Sequence, residues 1–350
     1  MLKLPSLQPQ TLPLAKPHQT LNPIKPTNLP LKSNPLNQFP TLRRLRIRAT
    51  DDAAYPLDHD EAAAAMKTTF VPPHTPSTTK LKIAVVGFGN FGQFLTRTLV
   101  RQGHTVLVQS RSDHSASAAA LGAAAFYADP GDLCDSRPDV VLLSTSILST
   151  ESVLRSLPLH RLRRDTLFVD VLSVKESPKN LFLEALPPEF DILCTHPMFG
   201  PESGKDGWAD LPFVYEKVRI ARGETCEGFL EIFRSEGCQM VEMSCAEHDR
   251  QAAETQFLTH TVGRVLGMLG LRSTPIDTKG YKSLLELVEN TAGDSFDLYY
   301  GLYMHNDNAT LQFERLDAAF GVLRRELELH GKYRKQVLEN ASGEEGELFR

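Results

Sequence analysis

The sequence predicts an α/β fold in which a doubly wound, mostly parallel sheet is followed by an all-helical domain. Two observations support this prediction. Short apolar segments alternate with helical segments over residues 80–243, and long amphipathic helical segments follow over residues 244–340. Strands that alternate with helices are joined by right-handed crossovers and form a parallel sheet. The length of 350 residues suits roughly two domains of ~150 residues each.

The predicted sheet begins with a strand and a helix that are joined by a glycine-rich turn. An apolar strand is expected at residues 83–86 and a helix over residues 91–102. Between them, "GFGNFG" fits G-x-G-x-x-G, which in this context is typical of a dinucleotide site of the Rossmann type. Its glycines allow a tight turn, close approach to a pyrophosphate and close helix packing. The expected cofactor contacts are Gly87, Phe88, Gly89, Asn90, Phe91 and Gly92.

Strands and helices then alternate along the rest of the first domain. The strands are predicted at "TVLVQ", "DVVLLSTS", "TLFVDVL", "FDILCTH", "FVYEKVRIAR" and "CQMVEM", and the helices at "SASAAALG", "STESVLRSL" and "SPKNLFLEAL". Three long helical segments follow, beginning "AEHDRQ", "YKSLLE" and "NATLQF". Long helices with an apolar stripe often pair with a second copy of the chain, so we expect a homodimer in which these helices also contact substrate.

The residues after the second predicted strand favour NADP over NAD as the cofactor. An NAD enzyme usually carries an acid at this point, which binds the ribose hydroxyls. Here the strand is followed by Ser110, Arg111 and Ser112, and an arginine with two hydroxyls suits a 2′-phosphate. Asp113 follows directly, so NAD stays open as the alternative, with Arg111 then an ordinary surface charge.

Polar residues follow three further strands, at the edge where parallel sheets bind their ligands. "STS" supplies Ser144, Thr145 and Ser146, which we assign to the cofactor site. "DVLSVK" contains Ser173 and "THP" contains His196. Histidine has an ordinary pKa of ~6.5, so His196 can accept the proton of a substrate hydroxyl, while Ser173 hydrogen-bonds either the imidazole or that hydroxyl. These two are the expected catalytic residues.

The first 49 residues have the composition of an organelle transit peptide. They contain eight Lys or Arg, nine prolines and no Asp or Glu, and "RRLRIRAT" around Ala49 has the form of a processing site. The prolines disfavour a mitochondrial amphipathic helix, so the predicted location is the chloroplast stroma; a disordered basic tail is the alternative. Residues 50–79 are expected to form a disordered linker and residues 341–350 a short tail.

Charge and cysteine content argue against several other classes of protein. Beyond residue 49 the chain has 30 basic and 43 acidic residues, and this net charge of −13 disfavours nucleic-acid binding. No apolar run approaches the ~20 residues of a membrane span. The five cysteines lack metal-ligand spacing, so we expect free thiols and no metal. The expected partner is a small molecule.

Three motifs make the chain after residue 80 resemble one enzyme family. "GFGNFG", "DVLSVK" and above all "HPMFGPESG" are similar to motifs of the prephenate and arogenate dehydrogenases of tyrosine biosynthesis, and the leader resembles that of the plant members. The resemblance implies NADP-dependent oxidative decarboxylation of arogenate to tyrosine. The ring carbon bearing the hydroxyl loses hydride, CO2 leaves, and the ring becomes aromatic. The family's catalytic serine and histidine fall on Ser173 and His196.

The resemblance also implies where the substrate's side chain binds. Arogenate carries an amino acid where prephenate carries a keto acid; a carboxylate favours the ammonium, and the family's acidic determinant falls on Asp294. Gln256 and His260 share one helical face and are candidate substrate contacts. Further candidates are Ser203, Thr278 and Lys279. The arginine with which many microbial relatives bind the ring carboxylate has no counterpart over residues 281–289.

Three alternative functions fit parts of the sequence. The first is an NADP-dependent prephenate dehydrogenase, which would produce 4-hydroxyphenylpyruvate. The second is a 3-hydroxy acid or imine reductase, for which Lys279 would be the catalytic lysine. The third is a non-catalytic NADP-binding sensor that keeps only the glycine-rich turn.

Overall fold

The computed structural model describes residues 79–344, apart from the side chains of Ala292 and of residues 334–344. The predicted transit peptide, almost all of the predicted linker and residues 345–350 of the predicted tail lie outside the described residues. None of the described helices is long and apolar enough to cross a membrane.

Eight strands form one sheet, in the order β3-β2-β1-β4-β5-β6-β7-β8. The strands are β1 (Lys82–Val86), β2 (Thr105–Gln109), β3 (Ala125–Tyr127), β4 (Val140–Leu143), β5 (Leu167–Asp170), β6 (Asp191–Pro197), β7 (Pro212–Arg219) and β8 (Gln239–Glu242). All neighbours run parallel except β6 and β7. The chain winds outward from β1 in both directions, which confirms the predicted doubly wound sheet.

Helices cover both faces of the sheet and then form the remainder of the described chain. In the first part they are α1 (Asn90–Arg101), α2 (Ser115–Ala120), α3 (Pro130–Asp135), α4 (Thr150–Ser156), α5 (Glu176–Ala185) and α6 (Gly223–Ser235). In the second part they are α7 (Cys245–Ala252), α8 (Leu258–Met268), α9 (Lys279–Ala292), α10 (Phe296–Met304) and α11 (Asp307–Glu344). A π-helical turn, Ala253–Phe257, joins α7 to α8.

The central strands are buried on both faces, and this explains why they appear in the sequence as continuous apolar runs. β4, β5 and β6 are buried at every position. β7 runs antiparallel because residues 198–211 return the chain without a crossover helix. The sequence pattern does not predict β3, α3 or α6; β3 has only three residues and α3 only six, too few to show a period.

A third apolar cluster connects the strand ends to the helical part, in addition to the two layers that cover the faces of the sheet. Its buried members are Ile147, Leu172, Val174, Phe257, Leu302 and Ala309. They belong to the segments after β4 and β5, to the π-helical turn, and to α10 and α11. This cluster therefore fixes the helices above the carboxyl ends of β4 and β5, where the candidate site lies.

Candidate active site

The glycine-rich turn between β1 and α1 has the backbone of a phosphate cradle. Gly87 has a φ of +93°, which residues with a side chain rarely adopt, and a Cβ there would overlap the Ser144 carbonyl oxygen. A Cβ on Gly92 would overlap the Gly87 carbonyl oxygen, whereas Gly89 faces open space. Gly89 is the N-cap of α1, and no side chain caps this helix. The first N–H groups of α1 are therefore available to an anion.

Ser144, directly after β4, presents a buried hydroxyl at this cradle. Its Oγ makes no hydrogen bond to any described residue and lies 3.5 Å from the Cβ position of Gly92. Thr145 and Ser146 instead bond hydroxyls of the helical turn that follows, at 2.8 and 2.7 Å. A buried hydroxyl without a partner calls for an explanation, and a ligand in the cradle would supply one. The residues present therefore fit a dinucleotide.

The other predicted residues of the turn differ in what they present. Phe88 is buried in the core and Phe91 packs against the same core. The Phe88 carbonyl accepts a hydrogen bond from the side chain of Gln93 at 3.2 Å. Asn90 is exposed. Phe88 can therefore contribute only its backbone to a cofactor, whereas the Phe91 side chain is half-buried.

The predicted 2′-phosphate site lies on the loop after β2. Ser110 is half-buried, while Arg111 and Ser112 are exposed. The Asp113 carboxylate accepts a hydrogen bond from the Ser115 backbone N–H at 2.9 Å. Hydrogen bonding by the Ser115 side chain first, and then by this backbone N–H, lowers the pKa of Asp113 and ties its carboxylate to the start of α2. Asp113, the acid for which NAD was kept as the alternative cofactor, therefore already has a hydrogen-bond partner two residues away along the chain.

His196, near the end of β6, is held by a second histidine. Its Nδ1 lies 2.8 Å from Nε2 of His248 on α7, and both side chains are 3% exposed. Nδ1 of His248 in turn lies 2.8 Å from Oδ1 of Asp249. Burial first, then the neighbouring His248 and Lys175, hold the pKa of His196 well below its usual value.

Local capping and backbone contacts position His248 and Asp249. Ser244 caps α7 by accepting from the Glu247 N–H at 3.2 Å, the first half of an S-x-x-E capping box. The Asp249 carboxylate accepts from the N–H groups of Lys175 and Glu176, both at 2.8 Å. α7 is thereby tied to the segment after β5. His248 and Asp249 are not among the site residues predicted from the sequence, since a His-Asp pair on a helix has no distinctive local pattern.

Ser173 lies on the segment between β5 and α5 and is half-buried. Within residues 79–344 it makes no hydrogen bond to His196; the imidazole of His196 is oriented instead by its hydrogen bond with His248. Of the two roles predicted for Ser173, the one that stays compatible with this geometry is contact with the substrate hydroxyl.

Polar atoms without partners also occur on the helical side of the site. Oε1 of Gln256, Nδ1 of His260 and Nε of Arg264 are buried and make no hydrogen bond to a described residue. Nδ1 of His260 lies 3.3 Å from Oδ2 of Asp294, which is ion-pair distance without hydrogen-bond geometry. Unsatisfied groups thus occur at a spacing of four residues, on Gln256 in the π-helical turn and on His260 and Arg264 in α8. The one on His260 lies beside a carboxylate.

Arg264 is a candidate that sequence analysis missed. Its Nη2 donates to the carbonyl oxygens of Asp294 and Ser295, both at 2.9 Å. Its guanidinium lies 4.9 Å from the ring centroid of Tyr299. Arg264 follows His260 by four residues, as His260 follows Gln256, and this spacing is the sequence pattern that could have identified it.

Two of the three remaining predicted substrate contacts hydrogen-bond backbone groups of their own segments. Ser203 Oγ accepts from the Gly200 N–H at 2.9 Å in an exposed loop. Thr278 caps α9 by accepting from the Tyr281 N–H at 3.2 Å. Lys279, the first residue of α9, is exposed. None of these three side chains hydrogen-bonds to His196 within the described chain.

The cysteines are buried free thiols. Burial raises the pKa of Cys134 to about 11 and the pKa of Cys226 and Cys238 to about 12, so these thiols are poor nucleophiles. Among the described residues no group of three or more His, Cys, Asp or Glu side chains is placed to hold a metal ion.

Two parts of the chain match models of known families. Residues 82–174 match the model described as "NADP oxidoreductase coenzyme F420-dependent". Residues 265–338 match the model described as "TYRAAT1-like, C-terminal domain".

The chain is similar to two proteins of Arabidopsis thaliana. It is 58% identical over 320 residues to arogenate dehydrogenase 2, chloroplastic, and the aligned region covers 90% of this chain and 86% of that protein. It is 61% identical over 269 residues to arogenate dehydrogenase 1, chloroplastic, covering 75% of this chain and 42% of that protein.

Solved structures share the fold at low sequence identity. Prephenate dehydrogenase from Aquifex aeolicus, in complex with hydroxyphenyl propionate and NAD+, has a TM-score of 0.58 at 18% identity, covering 75% of this chain and 97% of that chain. Arogenate dehydrogenase from Synechocystis has a TM-score of 0.55 at 19% identity, covering 76% and 99%. The high identity to the Arabidopsis proteins goes beyond a shared fold and confirms the predicted resemblance: the chain belongs to the prephenate and arogenate dehydrogenase family.

Proposed function

We propose that this chain is an NADP-dependent arogenate dehydrogenase, which converts arogenate to tyrosine by oxidative decarboxylation. The observation that carries the proposal is the buried imidazole of His196, whose Nδ1 is held by His248 while its Nε2 makes no hydrogen bond within the described chain. The names of the two Arabidopsis relatives support the choice of substrate.

The cradle at the start of α1 is the proposed site of NADP. The free N–H groups of α1 would bind the pyrophosphate, and the Ser144 hydroxyl would find its missing partner there. Ser110, Arg111 and Ser112 would hold the 2′-phosphate. When bound, NADP supplies the acceptor for the substrate's hydride. The match of residues 82–174 to an NADP oxidoreductase model supports this cofactor.

His196 is proposed to accept the proton of the ring hydroxyl at Nε2. Because burial first, and then the neighbouring His248 and Lys175, keep the pKa of His196 low, the imidazole is neutral at neutral pH and its lone pair is available. Ser173 is proposed to hydrogen-bond the same hydroxyl and so to orient it. Loss of CO2 then makes the ring aromatic, which renders the overall reaction effectively irreversible.

The unsatisfied groups of the helical side are proposed to bind the amino-acid part of arogenate. Asp294 would attract the ammonium, and the Gln256 carbonyl oxygen would accept from it. Arg264, with its buried unpartnered Nε, would bind a substrate carboxylate. Prephenate has no ammonium to offer Asp294, so this arrangement favours arogenate over the alternative substrate.

We also infer a homodimer and a plastid location. Large apolar side chains are exposed in the helical part, among them Met268, Leu269, Ile276, Phe320, Leu323 and Leu327. Extended exposed apolar surface is typical of an interface, and pairing with a second copy would cover it. Light scattering of the purified protein would measure the mass. The chloroplastic relatives and the acid-free leader support the location.

One set of assays tests the proposed function. The value of kcat/KM is measured for arogenate and prephenate, each with NADP and with NAD. We expect the highest value for arogenate with NADP; a higher value for prephenate would overturn the substrate assignment. His196→Asn then distinguishes an enzyme from a cofactor-binding sensor, because we expect it to abolish turnover while NADP binding persists.

A further inference from the structure

Three buried side chains form a hydrogen-bonded row that leads away from the proposed substrate hydroxyl. His196 contacts His248 and His248 contacts Asp249, each at 2.8 Å, and the three side chains are at most 3% exposed. The row ends where Asp249 accepts from two backbone N–H groups after β5. The Asp249 carbonyl is held separately, by the Asn306 side chain at 2.7 Å. Every member except the Nε2 end of His196 thus has fixed partners.

The carboxylate at one end determines where the hydrogens of both imidazoles lie. A carboxylate only accepts hydrogen bonds, so Nδ1 of His248 carries the hydrogen and its Nε2 is an acceptor. Nδ1 of His196 must then donate to that acceptor. Consequently Nε2 of His196 has the free lone pair, and this is the nitrogen that lacks a partner in the described chain.

We propose that His248 and Asp249 form a proton relay that receives, stores and returns the proton of the substrate's ring hydroxyl. The inference rests on the proposed function. As the carbon–hydrogen electron pair leaves the ring as hydride to NADP, the O–H bond breaks and a proton binds Nε2 of His196. The Nδ1–H bond of His196 then breaks, and that proton binds Nε2 of His248. His196 ends neutral, and His248 ends as an imidazolium beside the Asp249 carboxylate.

The overall reaction explains why the proton is stored and then returned. Tyrosine keeps a phenolic O–H, so oxidation and decarboxylation together release no proton. When the bond to the carboxylate breaks, its electron pair enters the ring and the ring oxygen takes the proton back from Nε2 of His196, while the relay reverses. A row without exposed members suits this role, because the proton does not exchange with water while it is stored.

The surrounding charges favour storage at His248 over His196. Beside the row, which is formed by His196 of β6 and by His248 and Asp249 of α7, lies the Lys175 ammonium of the segment after β5. Lys175 is itself paired with Asp170 at the end of β5. A positive charge on His196 lies near the Lys175 ammonium and is disfavoured. A positive charge on His248 contacts a carboxylate and is favoured.

The test compares His248→Asn and Asp249→Asn with a matched control. We expect kcat with arogenate to fall by ~100-fold or more in both variants, the usual range for loss of acid–base assistance, with NADP affinity retained. In Asp249→Asn the acid limb of kcat should move to lower pH, because the stored imidazolium loses its carboxylate; a merely structural role would leave the limb in place.

Asp191→Asn is the control. The Asp191 carboxylate is also buried and also accepts from two backbone N–H groups, those of Ala221 and Arg222, at 2.7 and 3.1 Å. It lies at the start of β6, the opposite end from His196. We expect a similar loss of stability and unchanged kcat. Activity of His248→Asn or Asp249→Asn equal to that of the control would overturn the relay.

If the variants do not fold, a measurement on the unaltered protein tests the proposed relay. Nitrogen-15 NMR of the histidine rings should show hydrogen on Nδ1 of both His196 and His248 at neutral pH. Hydrogen on Nε2 of His196 would overturn the relay without reference to turnover. Inactivity of the unaltered enzyme with both arogenate and prephenate would instead overturn the proposed function.

Discussion

Lys175 Nζ donates a hydrogen bond of 2.5 Å to the carbonyl oxygen of Thr195, the residue directly before His196. The same ammonium forms a buried ion pair with Asp170 at the end of β5. The Thr195 hydroxyl donates in turn to the Asp170 carbonyl oxygen at 2.5 Å. These contacts join the segment that carries Ser173 to the strand that carries the candidate base, and they place a positive charge beside it.

Replacing Lys175 by Met should therefore affect both stability and pH dependence. We expect the free energy of unfolding to fall by about 3–5 kcal/mol, because Asp170 would keep a buried carboxylate without its cation. The acid limb of kcat/KM should also move to higher pH, since Lys175 helps to lower the pKa of His196. Urea denaturation and a pH profile measure the two effects.

The double variant Asp170→Asn/Lys175→Met is the control for this prediction. It removes both charges, so most of the lost stability should return while the shift of the acid limb persists. A single Lys175→Met variant as stable as the unaltered protein would show that the ion pair is not needed to hold these strand ends together.

Stability should fall as the solution is acidified through the titration of His196. In the folded chain its pKa lies well below the usual value, mainly because of burial. Below an unfolded pKa of ~6.5, the unfolded chain therefore binds a proton that the folded chain does not, and each such histidine contributes a slope of up to about 1.4 kcal/mol per pH unit. Burial lowers the pKa of His104 and His260 as well, so they add to the slope.

Urea denaturation at several pH values between about 5 and 7.5 measures this slope around the ordinary histidine pKa. His196→Asn should make the slope shallower, because one group no longer differs in protonation between the folded and unfolded chain. His160→Asn, the same change at an exposed ring, should leave it unchanged. Equal slopes for His196→Asn and the unaltered protein would contradict the assignment of a low pKa to His196.

The sequence predicts those parts of the site that depend on local pattern. "GFGNFG" identifies the cradle because strand, turn and helix are contiguous, and the polar residues after β4, β5 and β6 identify one sheet edge because parallel strands end together. His248, Asp249 and Arg264 come from helices whose placement depends on tertiary packing. No spacing links His248 to His196, 52 residues earlier in the chain, so this contact required the structure.

Asp294→Asn should shift the substrate preference from arogenate towards prephenate. Asn keeps the shape but removes the charge that the ammonium would meet, and hydrogen bonds to charged groups are worth ~1.5–3 kcal/mol. We therefore expect kcat/KM for arogenate to fall by roughly 10- to 100-fold relative to that for prephenate. Steady-state kinetics with both substrates measures this ratio.

Asp297→Asn is the matched control for the substrate preference. Asp297 is an exposed acid in the first turn of α10, three residues beyond Asp294, so it tests whether any nearby negative charge suffices. Its ratio of kcat/KM values should equal that of the unaltered enzyme. If both variants shift the ratio equally, the preference arises from the general field of this segment and not from contact with Asp294.

Gly89→Ala should weaken NADP binding without weakening the fold. A Cβ at Gly89 meets no heavy atom within 4 Å, so the protein without ligand has room for it and its urea midpoint should not change. In the proposed complex that space is where the pyrophosphate approaches the backbone, and overpacking of ~1–3 kcal/mol would weaken NADP affinity by roughly 10- to 100-fold. Gly223→Ala provides the control, because its Cβ also enters open space at the start of a helix, α6, that is not proposed to bind ligand. NADP titrations followed by fluorescence compare the two variants; equal affinities would mean that the pyrophosphate does not lie against Gly89.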